Sequence, residues 1–140
     1  MIKKLLFEPT SIPAVLKSLD AGMMRSKTIA NNLANVTTPG YQRLEVEFED
    51  ELRKALDRNK LKGDKTHKNH LDIGRKSLTH VNPTMYHPDD AVAPTGINNV
   101  DVDIEAAKLA ENQILFNYGV KFIRGKFTAI DSSIKGRAIQ

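Results

Sequence analysis

The chain contains no cysteine and no tryptophan, and only 6% of its residues are aromatic. Without cysteine there can be neither a disulfide framework nor a thiolate metal site, so thiol chemistry says nothing about compartment. Few aromatics and 27% charged residues argue against a thick globular core, although 140 residues with 40% hydrophobic content suffice for one modest domain. Long apolar runs are missing too. The patch Ile2, Leu5, Leu6 and Phe7 is cut off by Glu8, Pro9 and Pro13 before it reaches signal-peptide length, and no stretch approaches a transmembrane span. There is no G-x-S-x-G, no phosphate-cradling glycine loop and no H-E-x-x-H, and Asp89 with Asp90 is an isolated acidic pair between prolines. Neither an enzyme site nor a cofactor is expected.

A formal charge of +4 and a pI near 9.3 make an anionic partner worth weighing. The densest basic cluster, Arg53, Lys54, Arg58, Lys60, Lys62 and Lys65, has no reading helix and no stacking aromatics beside it, so a solvated loop is the preferred reading. A small basic module for nucleic acid or an anionic surface is the alternative. The four histidines, His67, His70, His80 and His87, fall near Asp72, Asp89 and Asp90, but no thiolate and no evident orienting partner assists them. They are expected to be surface residues, with no metal bound.

What the chain does have is helical periodicity at both ends. Ile12, Leu16, Leu19, Met23, Ser26, Ala30 and Leu33 alternate steps of four and three, the seam of a helix packed lengthwise on another. A second repeat, Val15, Gly22, Ile29 and Val36, runs beside it, so this helix over 12–36 has two sides to bury. Pro39 ends it, and Pro39 with Gly40 suits the centre of a type II turn. Next, Leu44, Val46 and Phe48 alternate with glutamates, predicting a short extended segment, and Phe48, Leu52, Ala55 and Leu56 predict a short helix over 47–58. Periodicity fades over 59–99, where short strands are expected at 71–73 and 78–81.

The last element is a helix over 102–134, opened by Asp101 or Asp103 as cap. Its acids sit early and its bases late, matching the helix dipole. Val102, Leu109, Phe116, Ile123 and Ile130 recur every seven residues, with Ala106, Gln113, Val120, Phe127 and Ile134 interleaved. Ile104, Leu115, Tyr118 and Phe122 form a second stripe, and Gly119 and Gly125 imply close packing there. The chain is therefore expected to be a single, mainly α domain over 1–140, its terminal helices pairing antiparallel as a coiled coil, with a loop-rich middle at 37–101. The seam residues would be Leu16, Leu19, Met23, Leu109, Phe116, Val120, Ile123, Phe127 and Ile130, and the outer face Tyr118 and Phe122.

Ser26, Ala30, Asn31, Asn32, Leu33, Ala34, Asn35, Thr38, Pro39, Gly40 and Tyr41 match the pattern S-x3-A-x-N-L-A-N-x-x-T-P-G-Y. That pattern resembles the N-terminal signature of the flagellar rod, hook and hook-associated axial proteins, and these residues would be its assembly motif. Phe48 with Leu52, G-x-N-N-V-D at 96–101 and A-x-L-A-E-N-Q at 107–113 extend the likeness. Thr66, His67 and His70 match a T-H-x-x-H piece with no metal role in such chains. The resemblance implies a structural subunit of the proximal rod in the flagellar basal body, carried uncleaved by the flagellar type III export apparatus and located where the rod spans the periplasm. Its partners would be copies of itself, FliE, FlgC and other rod subunits, with no nucleic acid and no small-molecule substrate.

Overall fold

A computed structural model describes residues 11–57, 67, 78–89 and 98–136. In chain order the elements are helix α1 (Ile12–Ala34), strand β1 (Glu45–Glu47), helix α2 (Glu49–Leu56), a 3₁₀ turn (Leu78–His80), strand β2 (Thr84–Tyr86) and helix α3 (Val102–Lys135). The protein is mainly helical, with one small antiparallel sheet in which Val46 faces Met85.

Helix α1 begins where Pro13 can occupy the first turn, since that turn has no use for the missing N–H. It ends two residues before the expected Val36. Asn35, Val36 and Thr38 donate backbone bonds three residues back, to Asn32, Leu33 and Asn35, so the last turn tightens. The turn that follows has the expected form: Gly40 has φ +71°, and the Tyr41 N–H donates to the Thr38 carbonyl at 3.3 Å. Helix α3 is capped by the Asp101 carboxylate, which accepts from the N–H groups of Asp103 and Ile104 at 2.9 and 3.2 Å.

The short core gathers Ala21, Phe48, Ala55 and Val81, with Leu52 and Leu78 packed against it. This explains why the strand expected at 78–81 is a 3₁₀ turn. Leu78 and Val81 must both reach the same core, and a three-residue turn puts residues three apart on one side, whereas a strand would send them to opposite faces. The second strand forms later, at Thr84–Tyr86, past Pro83. The strand expected at 71–73 lies outside the described residues.

Helix α3 lies along α1 with contacts in opposite sequence order: Glu105 meets Asn32, Asn112 meets Gly22 and Ser26, and Gly119 approaches Leu19 and Val15. The buried stripe differs from the expected seam. Glu105 and Asn112 are the buried residues of α3, with Phe116, Gly119, Ile123 and Ile130 half-buried, while Leu109, Val120 and Phe127 are exposed, at 36%, 43% and 50%. On α1, Leu16 and Met23 are likewise exposed and Leu19 is half-buried, whereas Gly22, Ile29 and Asn32 are buried. The interleaved row of α3 is thus shifted by one residue, to Glu105, Asn112 and Gly119, because the close contact is made by small and amide side chains. Gly119 has the close neighbour its position implied, with a Cβ there only 2.9 Å from Leu19 Cδ2, but Gly125 has nothing within 4 Å.

Candidate assembly interface

Asn32 is fully buried on α1, and its amide makes every bond it can. The Nδ2 donates to the Leu44 carbonyl at 2.8 Å and to Glu105 Oε2 at 2.9 Å. The Oδ1 accepts from the Leu44 N–H at 2.9 Å and the Tyr41 hydroxyl at 3.1 Å. One side chain therefore ties α1 to the segment after the turn and to the start of α3.

Glu105 is 1% exposed, a position tolerable for a carboxylate only with partners. It has them in Asn32, in Arg43 Nη1 at 3.4 Å and in Lys108 Nζ at 3.8 Å. The same cations hold Glu45, through Arg43 Nη2 at 3.1 Å and through Lys108, and Glu45 also accepts from the Tyr86 hydroxyl at 2.9 Å. Burial pushes the Glu45 carboxyl up, but the Lys108 and Tyr86 hydrogen bonds and the charges of Lys108 and Arg43 outweigh it and hold the group below the ordinary glutamate range. Burial, aided by the nearby Glu105 charge, raises the Tyr41 phenol.

Two further asparagines complete the clamp. Asn98 Nδ2 reaches the carbonyls of Asn35, Val36 and Thr38 at 3.1, 2.7 and 3.2 Å, satisfying the end of α1 and the turn. Asn112 Nδ2 donates to the Gly22 carbonyl at 2.9 Å and to Ser26 Oγ at 2.7 Å. No buried side-chain nitrogen or oxygen among the described residues lacks a partner. Of the sequence motif, Ser26, Asn32, Asn35, Thr38 and Tyr41 take part in these internal contacts, with Leu33 half-buried, whereas Ala30, Asn31, Ala34, Pro39 and Gly40 are exposed.

Beside the clamp on α3 an apolar row is open to solvent: Ile104, Leu115, Tyr118 and Phe122 are 50%, 57%, 67% and 42% exposed. Ile123, next to Phe122, is half-buried instead.

A model of the family described as "Flagella basal body rod protein" matches residues 24–42, the stretch that holds most of the clamp's α1 side and the turn. The chain is 34% identical over 119 residues to the flagellar basal body rod protein FlgB of Bacillus subtilis, covering 85% of this chain and 88% of that one. It is 32% identical to FlgB of Borreliella burgdorferi, over 84% and 90% of the two chains, and 28% identical to FlgB of Salmonella typhimurium, over 86% and 84%. The chain belongs to the FlgB family of flagellar basal body rod proteins. A FlgB chain is a structural subunit of the flagellar basal body rod and not an enzyme, and the basal body is where it resides.

The alternative, a basic module for nucleic acid or an anionic surface, finds no support in these FlgB relatives. Of the basic cluster, Arg53 pairs with Asp50 and Lys54 with Glu51, and the members from Arg58 to Lys65 lie outside the described residues. His70, Asp72 and Asp90 also lie outside them. His87 contacts the Arg43 carbonyl through Nδ1, and no group of three potential metal ligands occurs among the described residues. Sequence reasoning passed over Arg43, Glu45, Glu105 and Lys108 as site residues. Glu105 reads as an ordinary first-turn acid, and only the position of a buried asparagine opposite reveals it as a clamp. Asn98 and Asn112 did carry a signal, since they fall in the family-like G-x-N-N-V-D and A-x-L-A-E-N-Q stretches respectively.

Proposed function

We propose that this rod subunit packs helically with copies of itself and with neighbours such as FliE, FlgC and other rod subunits, its two terminal helices serving as an antiparallel coiled coil. Torque from the motor's membrane ring would pass through these interlocked helices to the distal rod, hook and filament. The chain would reach its place in the periplasm-spanning rod through the flagellar type III export apparatus, without a cleaved signal peptide. The observation that supports assembly through α3 is the exposed apolar row ending at Tyr118 and Phe122, a surface that stays wet in the single chain. Leu16, Met23, Val120 and Phe127, also exposed, would be covered by neighbours in the same way.

The test compares Phe122→Glu with Ile123→Glu. A charge buried in an interface costs several kcal/mol unless it finds a partner, enough to remove most binding. Phe122→Glu should abolish motility while the purified chain keeps its helix content. Ile123→Glu should lower helix content as well. Normal swimming of the Phe122→Glu strain, or identical behaviour of the two variants in both assays, would refute an outer assembly face on α3.

A further inference from the structure

Helix α3 outruns its partner. Glu105 lies opposite Asn32, Asn112 opposite Gly22 and Ser26, and Gly119 opposite Leu19 and Val15, so an advance of seven residues on α3 is a retreat of about seven on α1. Carried on, this register sets Ile12, the first residue of α1, level with about Arg124. From there α3 continues to Lys135, roughly 16 Å at a rise of about 1.5 Å per residue. No residue of α1 stands opposite that stretch.

The face that meets α1 nevertheless goes on. Glu105, Asn112, Phe116 and Gly119 lie on one stripe of the helix, and the same stripe then takes in Ile123, Ile130 and Ile134. Ile130 is half-buried, and Ile134, at 79%, is the most exposed large apolar side chain among the described residues. This is a different face from that of Tyr118 and Phe122, since Phe122 lies about 100° around the helix from Ile123.

The chain holds a cover for it at the other end. Residues 1–10, outside the described residues, include Ile2, Leu5, Leu6 and Phe7 and join α1 at Ser11. Ser11 has φ −75° and ψ −6°, the helical region, and its hydroxyl makes no cap, whereas a capping residue is ordinarily extended and turns the chain aside. The chain therefore enters α1 in line with its axis, beside the uncovered part of α3. Ile12 is 3% exposed, so apolar packing reaches the tip of α1. Ten residues reach about 15 Å as a helix and roughly 33 Å when extended, enough in either form to pass along the stripe. A tether this short holds its apolar residues at an effective concentration on the order of millimolar, so they reach the stripe ahead of any second copy.

We infer that residues 1–10 run on beside α3, with Ile2, Leu5, Leu6 and Phe7 covering Ile130 and Ile134 of the same chain. Docked in this way, the arm makes the last turns of α3 part of the subunit's own fold, and the contact needs no neighbour.

The absence of tryptophan allows a direct test with the purified full-length chain. Phe7→Trp and, separately, Leu5→Trp place a single indole in the arm. Both should give blue-shifted emission and weak acrylamide quenching in native buffer, equally at every concentration, and urea should abolish both signs of burial. Ile134→Glu, at a position too exposed to be needed by the rest of the fold, should raise quenching toward the urea value, and Ile130→Glu added to it should complete the change. Gly125→Glu, the same charge on the opposite side of the helix, should change neither emission nor quenching. Indoles exposed in native buffer would overturn the inference, as would burial that grows with concentration, which means cover by a second copy, or burial indifferent to Ile134→Glu. None of these outcomes bears on the motility comparison of Phe122 and Ile123, so the two readings fall separately.

Discussion

The amide of Asn32 donates to the carboxylate of Glu105 at 2.9 Å, across 73 residues of chain. Both side chains are buried, and each is the other's link between the N-terminal and C-terminal helices. A buried amide and carboxylate in this relation specify register, since sliding α3 along α1 would break the bond between them and take Glu105 away from Arg43. The Asn112 contact to Gly22 and Ser26 repeats the arrangement two turns along.

Asn32→Ala should therefore be far more damaging than its size suggests. The Leu44 backbone, the Tyr41 hydroxyl and the Glu105 carboxylate would all lose a partner, costing about 3 kcal/mol. Asn31→Ala, one residue away and exposed, should cost no more than about 0.5 kcal/mol. Urea unfolding of the two variants checks the contrast, and equal midpoints would show that the clamp carries no weight.

Glycine replacement in α3 should separate by site. Gly125→Ala adds a methyl in open space and should stabilise the helix by about 1 kcal/mol, raising Tm. Gly119→Ala should yield little or none of that gain, because its Cβ would sit 2.9 Å from Leu19 Cδ2 and push that side chain aside. Gly119→Val should be destabilising outright, with Val15 Cγ1 also close. Thermal scans reporting equal gains for both alanines would rule out the α1–α3 approach at Leu19.

At Gly40 the cost is backbone alone, since an added Cβ would meet nothing within 4 Å but φ is +71°. Gly40→Val should lose about 1 kcal/mol or more and misdirect Tyr41 away from Asn32, while Gly40→Asn, which tolerates that region, should be much milder. Motility should fall before the amount of soluble protein does. A Gly40→Val strain that swims normally would contradict the role given to the turn.

Stability should depend on pH through Glu45. Its folded value is depressed below the ordinary 4.5, so its contribution is complete above that value and is lost as pH falls through the lower folded one. Glu45→Gln should flatten the acid limb of a stability–pH profile below about pH 4.5 and change little of its shape near neutrality. An unchanged acid limb would mean that Lys108, Arg43 and Tyr86 do not favour the ionised form.

Much of the fold was legible in the residues. The start of α1 at Ile12, the turn at Pro39–Gly40, the extended segment around Val46, the short helix after Phe48 and the Asp101 cap follow from local chemistry, because proline, glycine and short polar caps act within a few residues of themselves. The motif around Asn32 pointed to the rod family for the same reason, being contiguous.

Which stripe of each long helix is buried was not legible, and only tertiary structure decided it. The apolar heptads of α3 offer Val120 and Phe127 as readily as any other row, and hydrophobicity places Glu105, Asn112 and Asn32 outside. In the folded chain those three are inside and Val120 and Phe127 are out. The reason is that a polar side chain is costly to bury only while unpaired, and the partners that matter here, Asn32 and Arg43 for Glu105 and Gly22 and Ser26 for Asn112, come from segments far away in sequence. Periodicity reads what water rejects. It cannot read which polar groups will satisfy one another once distant segments meet.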